Sequence, residues 1–124
     1  MLGYSNKYHD GFLGHSYVGE WVNFGAGSHT SDLRTDYGPI TMQINGSKVP
    51  SGLMKIGSYL GDHTRMSVNT LLNTGTVVGP FGLLLTSGTL LPRVIPSFCR
   101  YGHAQVQGQR RGTRYVAVGK VLKA

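Results

Sequence analysis

Five imidazoles and one thiol are the side chains of this sequence that can move a proton or attack carbon near neutral pH. The imidazoles belong to His9, His15, His29, His63 and His103, and the thiol to Cys99. An imidazole can take the proton that a nucleophile loses as it attacks carbon. Such a step needs no covalent enzyme intermediate, so it asks nothing of Cys99. Three converging histidines would suit zinc. No spacing here brings three ligands together, and no metal is expected. Lys7, Arg93 and Arg100 are candidates for phosphate, which arginine pairs with well. A lone cysteine excludes an intramolecular disulfide and fits a reducing cytoplasm.

These side chains need a scaffold, and one stretch declares it. Leu60, Met66, Leu72, Val78, Leu84 and Leu90 fall at every sixth position. No α-helix repeats at six, and a simple strand alternates at two. A six-residue period marks a β-solenoid, with one short strand and one inward side chain per repeat. Small and turn-forming residues fill most hexad ends, where the backbone must bend. Asn69 and Asn73 are placed to bridge neighbouring coils through their amides. An earlier block, Leu13-Gly14, Val18-Gly19 and Phe24-Gly25, carries the same signature with steps of five and then six.

Between the blocks, from about Thr30 to Ser58, the period is interrupted. Ile40, Met42 and Ile44 alternate with polar residues and run into Asn45-Gly46, which predicts a β-hairpin. The insertion is expected to project from the solenoid as an ordered loop, and such loops often border binding sites. After Leu91 the pattern stops. Pro92 and Pro96 are expected to end the winding, because proline cannot donate to a ladder. The domain is therefore drawn over residues 1–103, followed by a basic tail over 104–124 that is flexible or docks elsewhere. Val118, Val121 and Leu122 have helical spacing there, but Gly119 weakens a helix. Gly112-Thr113-Arg114 resembles a phosphate-binding loop in the wrong context. Leu2-Gly3 reads as the remnant of a hexad, so a longer parent protein is expected.

The bulk numbers agree with an all-β chain. With 124 residues there is room for one core, and 19 glycines with 14% charged residues suit tight turns better than amphipathic helices. A formal charge of +7 favours anionic partners, sugar phosphates and coenzyme A as much as nucleic acid. Aromatics near the tail are sparse, so nucleic acid is not expected. No apolar run is long enough to span a bilayer, and no signal peptide is visible.

Phe12-Leu13-Gly14, Val18-Gly19 and Val22-Asn23-Phe24-Gly25-Ala26-Gly27-Ser28, with the five-then-six spacing and the insertion, resemble the hexapeptide acyltransferase superfamily. The likeness is to the acetyltransferase domain of bifunctional uridyltransferase/acetyltransferases and to related sugar nucleotidyltransferase-like proteins. It covers roughly residues 2 to 100 by the repeat pattern. It implies a left-handed parallel β-helix, three hexads per coil, assembled as a homotrimer. It also implies acetyl transfer from acetyl-CoA to the amine of an amino-sugar phosphate or nucleotide sugar. His9 would be the base, and Lys7, Phe12, Asn23 and Asp32 would lie by the acceptor. Ala26, Ser67, Thr86 and Arg93 would lie by the donor. Phe12 stands where the family has a tyrosine, Asp32 near an asparagine, and Val68, beside Ser67, at a serine. The alternative is a non-catalytic trimerisation domain of a sugar nucleotidyltransferase-like protein.

Overall fold

The computed structural model describes residues 1–104, 112–117 and 120–123. Among the described residues there is no helix, and the chain is all-β. Ten strands of two to four residues come first: β1 (Tyr17–Val18), β2 (His29–Thr30), β3 (Thr41–Ile44), β4 (Ser47–Pro50), β5 (Tyr59–Leu60), β6 (Arg65–Met66), β7 (Leu71–Leu72), β8 (Val77–Val78), β9 (Leu83–Leu84) and β10 (Val94–Ile95). Three more follow, of six, six and four residues: β11 (Cys99–Ala104), β12 (Gly112–Ala117) and β13 (Lys120–Lys123).

Past the insertion the two-residue strands pair in parallel at intervals close to three hexads, while β1–β5 and β2–β7 pair across it. Tyr59 pairs with Val77, and Arg65 with Leu83, each eighteen residues on. The resulting ladders are β1-β5-β8-β10, β6-β9-β11 and β2-β7. In each strand the first side chain faces out or lies half-buried, and the second is buried. This is strand alternation cut to its shortest length. Val18, Leu60, Met66, Leu72, Val78 and Leu84 thereby meet in one core with Val22, Phe24 and Ile95. Glycine lets the layers lie close: a Cβ on Gly25 would sit 2.3 Å from the Ser67 carbonyl carbon.

Between β2 and β5 the chain leaves the ladders. β3 pairs antiparallel with β4 across Asn45-Gly46, both with positive φ, as a tight two-residue turn requires. Ile40, Met42 and Ile56 form a second, smaller apolar cluster against Val77.

One corner of the ladders is built from rings. Tyr4, Trp21, His63, Phe81 and Phe98 stack successively, with centroids 4.4 to 6.1 Å apart and planes within 10°. All five have positive φ near 57°. Contact between successive rings helps hold these residues in a backbone region otherwise left to glycine and asparagine. His63 is thus one member of a structural stack.

Four expectations need correction. The sixth apolar position, Leu90, is exposed, and Leu91 is buried in its place. Leu71 bridges Leu90, nineteen residues on, so this interval holds one extra residue around the Gly88 turn. The winding also does not stop at Leu91. β10 pairs with β8 and β11 with β9. Pro92 and Pro96 flank β10, the terminal strand of its sheet, where a missing donor is tolerated. In the tail, expected to be flexible or to dock elsewhere, β12 and β13 extend the β11 sheet antiparallel, and Val118 lies outside the described residues. Gly112-Thr113-Arg114 opens β12 and is not a loop. Finally, the Asn73 amide oxygen accepts the Thr74 N–H at 2.8 Å, closing its own turn instead of bridging coils.

Candidate functional site

The first block, residues 12–16, lies over residues 28–32. The Phe12 N–H donates to His29 Nδ1 at 3.1 Å, and the Phe12 carbonyl accepts the Thr30 N–H at 2.9 Å. The Gly14 N–H donates to Thr30 Oγ1 at 3.3 Å. At the far end of this overlap His15 Nδ1 meets Asp32 Oδ2 at 2.7 Å. An ionised carboxylate only accepts, so the Nδ1–H donates to it. The His15 side chain is 54% exposed and that of Asp32 only 15%. Two successive amides hold the pair from behind. Ile56 N–H donates to the Asp32 carbonyl at 3.0 Å, and Gly57 N–H to the His15 carbonyl at 2.8 Å. The segment returning from the insertion therefore fixes both residues.

The other expected site residues are dispersed around this pair. Lys7 Nζ donates to the carbonyls of His9 and Asp10 at 3.2 and 2.8 Å, so it holds the loop that carries His9. The His9 ring is exposed and packs edge-on to Tyr8 at 5.3 Å. Phe12 is half-exposed and carries no hydroxyl. Asn23 points outward between Val22 and Phe24, and bridges Asn6 on one side and Arg65 on the other. The Ala26 carbonyl accepts the Asn69 N–H at 2.7 Å.

Ser67 and Thr86 lie together in the wall. Ser67 Oγ donates to the Thr86 carbonyl at 2.7 Å. The Thr86 side chain is buried, and its hydroxyl has no partner among the described residues. Arg93 lies elsewhere, at a cleft of about 300 Å3 beside the insertion. Lys48 from β4 and Gly75 line the same cleft. Neither cation has a carboxylate partner among the described residues. Arg100 sits on β11 beside Leu83 of β9.

Cys99 is buried, and burial raises its thiol above the usual range, which makes it a poor nucleophile. Among the described residues no three His, Cys, Asp or Glu side chains gather as metal ligands. No helix of the described residues is long and apolar enough to cross a membrane.

The His15–Asp32 contact is the feature that sequence reading missed. Its signal was a spacing. The two residues lie seventeen apart, the interval at which Asn6 bridges Asn23. Residues one such interval apart overlie each other.

No protein-family model matches the chain. It is 33% identical over 73 residues to a bifunctional sugar-1-phosphate nucleotidylyltransferase/acetyltransferase of Sulfurisphaera tokodaii, covering 59% of this chain and 18% of that protein. It is 37% identical over 71 residues to the bifunctional protein GlmU of Methanococcus vannielii, covering 57% and 17%. A putative uncharacterized acetyltransferase, YaiX, of Escherichia coli is 29% identical over 84 residues, covering 68% of this chain and 34% of that one. The chain thus spans less than a fifth of the first two relatives. The expected likeness to sugar nucleotidyltransferase/acetyltransferases is borne out, and the chain is acetyltransferase-like in sequence.

Proposed function

We propose that this chain forms a left-handed parallel β-helix, three hexads to the coil, which acts in the cytoplasm as a homotrimer. It transfers an acetyl group from acetyl-CoA to the amine of an amino-sugar phosphate or nucleotide sugar. The likeness to acetyltransferases carries this function. The near-eighteen-residue registers support the coil, although parallel crossovers are otherwise mostly right-handed. The cleft between Lys48 and Arg93 supports a donor rich in phosphate, since two cations without a carboxylate partner among the described residues favour an anion.

In the transfer the amine nitrogen attacks the thioester carbonyl. The C–N bond forms, the C–S bond breaks, and the amine's proton passes to a base and then to the departing sulfur. Backbone N–H groups stabilise the oxyanion that develops. The base is an imidazole, and the resemblance implies His9. Asn23, Phe12 and Lys7 belong to the acceptor side, and Ala26, Ser67, Thr86 and Arg93 to the donor side. A non-catalytic trimerisation domain is the second reading. It is favoured by the number of expected ligand groups already engaged within the protein: Lys7 on carbonyls, Ser67 on Thr86, and Asp32 on His15.

The test follows free thiol released from acetyl-CoA over a panel of amino-sugar phosphates. Saturable release is expected, with Arg93→Ala raising the KM for acetyl-CoA roughly tenfold, as loss of a charge-assisted phosphate contact does. A trimer that neither binds acetyl-CoA nor releases thiol would leave the trimerisation domain standing.

A further inference from the structure

We propose that the groove beside the aromatic corner binds a planar aromatic group carrying anionic substituents. The groove measures about 400 Å3, a volume that a small ligand fills. It is lined by His63, Phe81 and Phe98 of the ring stack, and by Arg65, Gly82 and Leu83 of the adjoining ladder. It shares no lining residue with the cleft at Lys48 and Arg93. The site stands independently of the acetyl-transfer reading.

The rings decide half of the ligand. His63, Phe81 and Phe98 lie face to face, with centroids 4.6 and 5.0 Å apart and planes within 9°. Their faces are occupied by one another, so the stack offers a ligand its edges. Phe81 and Phe98 are about half-exposed. An aromatic ring is positive at its edge and negative on its face. A row of edges therefore attracts the face of another π-system laid across it in T-shaped contacts. The row is also fixed in advance. The N–H groups of His63, Phe81 and Phe98 donate to the carbonyls of Glu20, Asp62 and Pro80 at 2.8, 2.8 and 2.9 Å. Little ordering remains to oppose binding.

The arginines decide the other half. Leu83 pairs with Arg65 on one side and with Arg100 on the other. Neighbouring strands lie about 4.8 Å apart, so the two arginine backbones stand about 10 Å apart across one apolar residue. Both arginines are exposed, and neither has a carboxylate partner among the described residues. No described acidic side chain lines the groove. Asp62, the neighbour of His63, accepts the Glu20 N–H at 2.8 Å. Charge complementarity thus asks for an anion, and guanidinium groups pair well with sulfonate, phosphate or carboxylate oxygens. A bare inorganic anion would leave Leu83 and the ring edges unmatched. A neutral arene would leave the arginines unmatched. A flat aromatic body with charge at its ends satisfies both.

The experiment titrates the full chain with naphthalene disulfonate, a planar aromatic dianion, and follows backbone amide shifts by NMR. Saturable binding is expected, with shifts centred on residues 63–65, 81–83 and 98–100. Arg65→Gln is a surface substitution that keeps the fold, and it should weaken binding about tenfold through loss of a charge-assisted contact. Lys48→Gln removes the same charge at the other cleft and should leave the affinity unchanged. Phe81→Asn should weaken binding several-fold, since asparagine tolerates the left-handed backbone there but offers no ring edge. The neutral naphthalene diol should bind at least tenfold more weakly than the disulfonate. Displacement by adenosine monophosphate would assign the aromatic group to a nucleotide, and displacement by naphthoate to an aryl carboxylate; either supports the site. Equal weakening by Arg65→Gln and Lys48→Gln would reduce the effect to diffuse attraction by a basic protein and overturn the proposal. So would equal affinity for the diol, shifts centred away from the groove, or no saturable binding.

Discussion

The ladder body and the insertion are held together by different means. In the body, Val18, Leu60, Leu72, Val78 and Leu84 are nearly inaccessible and belong to one apolar cluster that spans all three ladders. In the insertion, Ile40, Met42 and Ile56 make a small cluster on the outer side of Val77. β4 is exposed along its whole length. Its fixed points are instead polar and local: the Arg34–Asp36 pair, Ser51 Oγ on the Ile40 carbonyl at 2.5 Å, and the amides of Ile56 and Gly57. A repetitive body supplies rigidity. A non-repetitive insertion, docked on it by few apolar contacts, is free to carry features that the period cannot tolerate. The two cations at the cleft and the clamp behind His15 are both built where the two regions meet.

Truncation in the body tests the first half of that contrast and carries the largest expected effect. Leu84 is fully buried at the centre of the β6-β9-β11 ladder. Leu84→Ala is expected to cost about 3 kcal/mol, the range for a buried leucine left as a cavity. A single thermal transition should fall by roughly 10 °C at this chain length. If the transition splits instead, the ladders do not share one cooperative core.

The same truncation in the insertion should be milder and local. Ile40 is as buried as Leu84, but its cluster has two other buried members against a ladder face. Ile40→Ala is expected to lower global stability by about 1 kcal/mol, because the insertion can loosen without opening the main core. Amides of residues 41–56 should exchange faster, while those of β5, β8 and β9 keep their protection. Equal loss of protection in both regions would show that insertion and body unfold as one unit.

The contrast also explains what could be read from the sequence. The positions Leu60 to Leu84 were legible because every sixth residue there is buried in the same core. Leu90 broke the rule when one residue was added around Gly88, and periodicity does not announce an insertion of one. Pro92 and Pro96 read as an end to the pattern, but they border an edge strand, where the sheet asks no donor of them. Val121 and Leu122 were too short a run to separate strand from helix, and pairing with β12 decided it. The hydrophobic pattern says nothing of His15 and Asp32. They come together only where residues 12–16 fold over residues 28–32, and the residues between them carry no signal of that contact.

The smallest effect concerns the polar fixings of the insertion. Arg34 donates to both carboxylate oxygens of Asp36, with Nε to Oδ1 at 2.7 Å and a second bond from Nη2 to Oδ2. These bonds, followed by the Gly38 N–H, hold the Asp36 carboxyl at about 2, below its ordinary value of 3.8. A lowered folded-state value stabilises the protein above the unfolded value and loses that contribution as pH falls toward the folded one. The difference in melting temperature between the unmutated chain and Asp36→Asn should therefore be constant from pH 7 to about 5, and shrink between about 4 and 2. It should be small throughout, and smaller still in high salt, because the pair is exposed and screened. Leu84→Ala should show neither dependence. An Asp36→Asn effect that matched Leu84→Ala in size and ignored salt would mean that the insertion is held by burial after all.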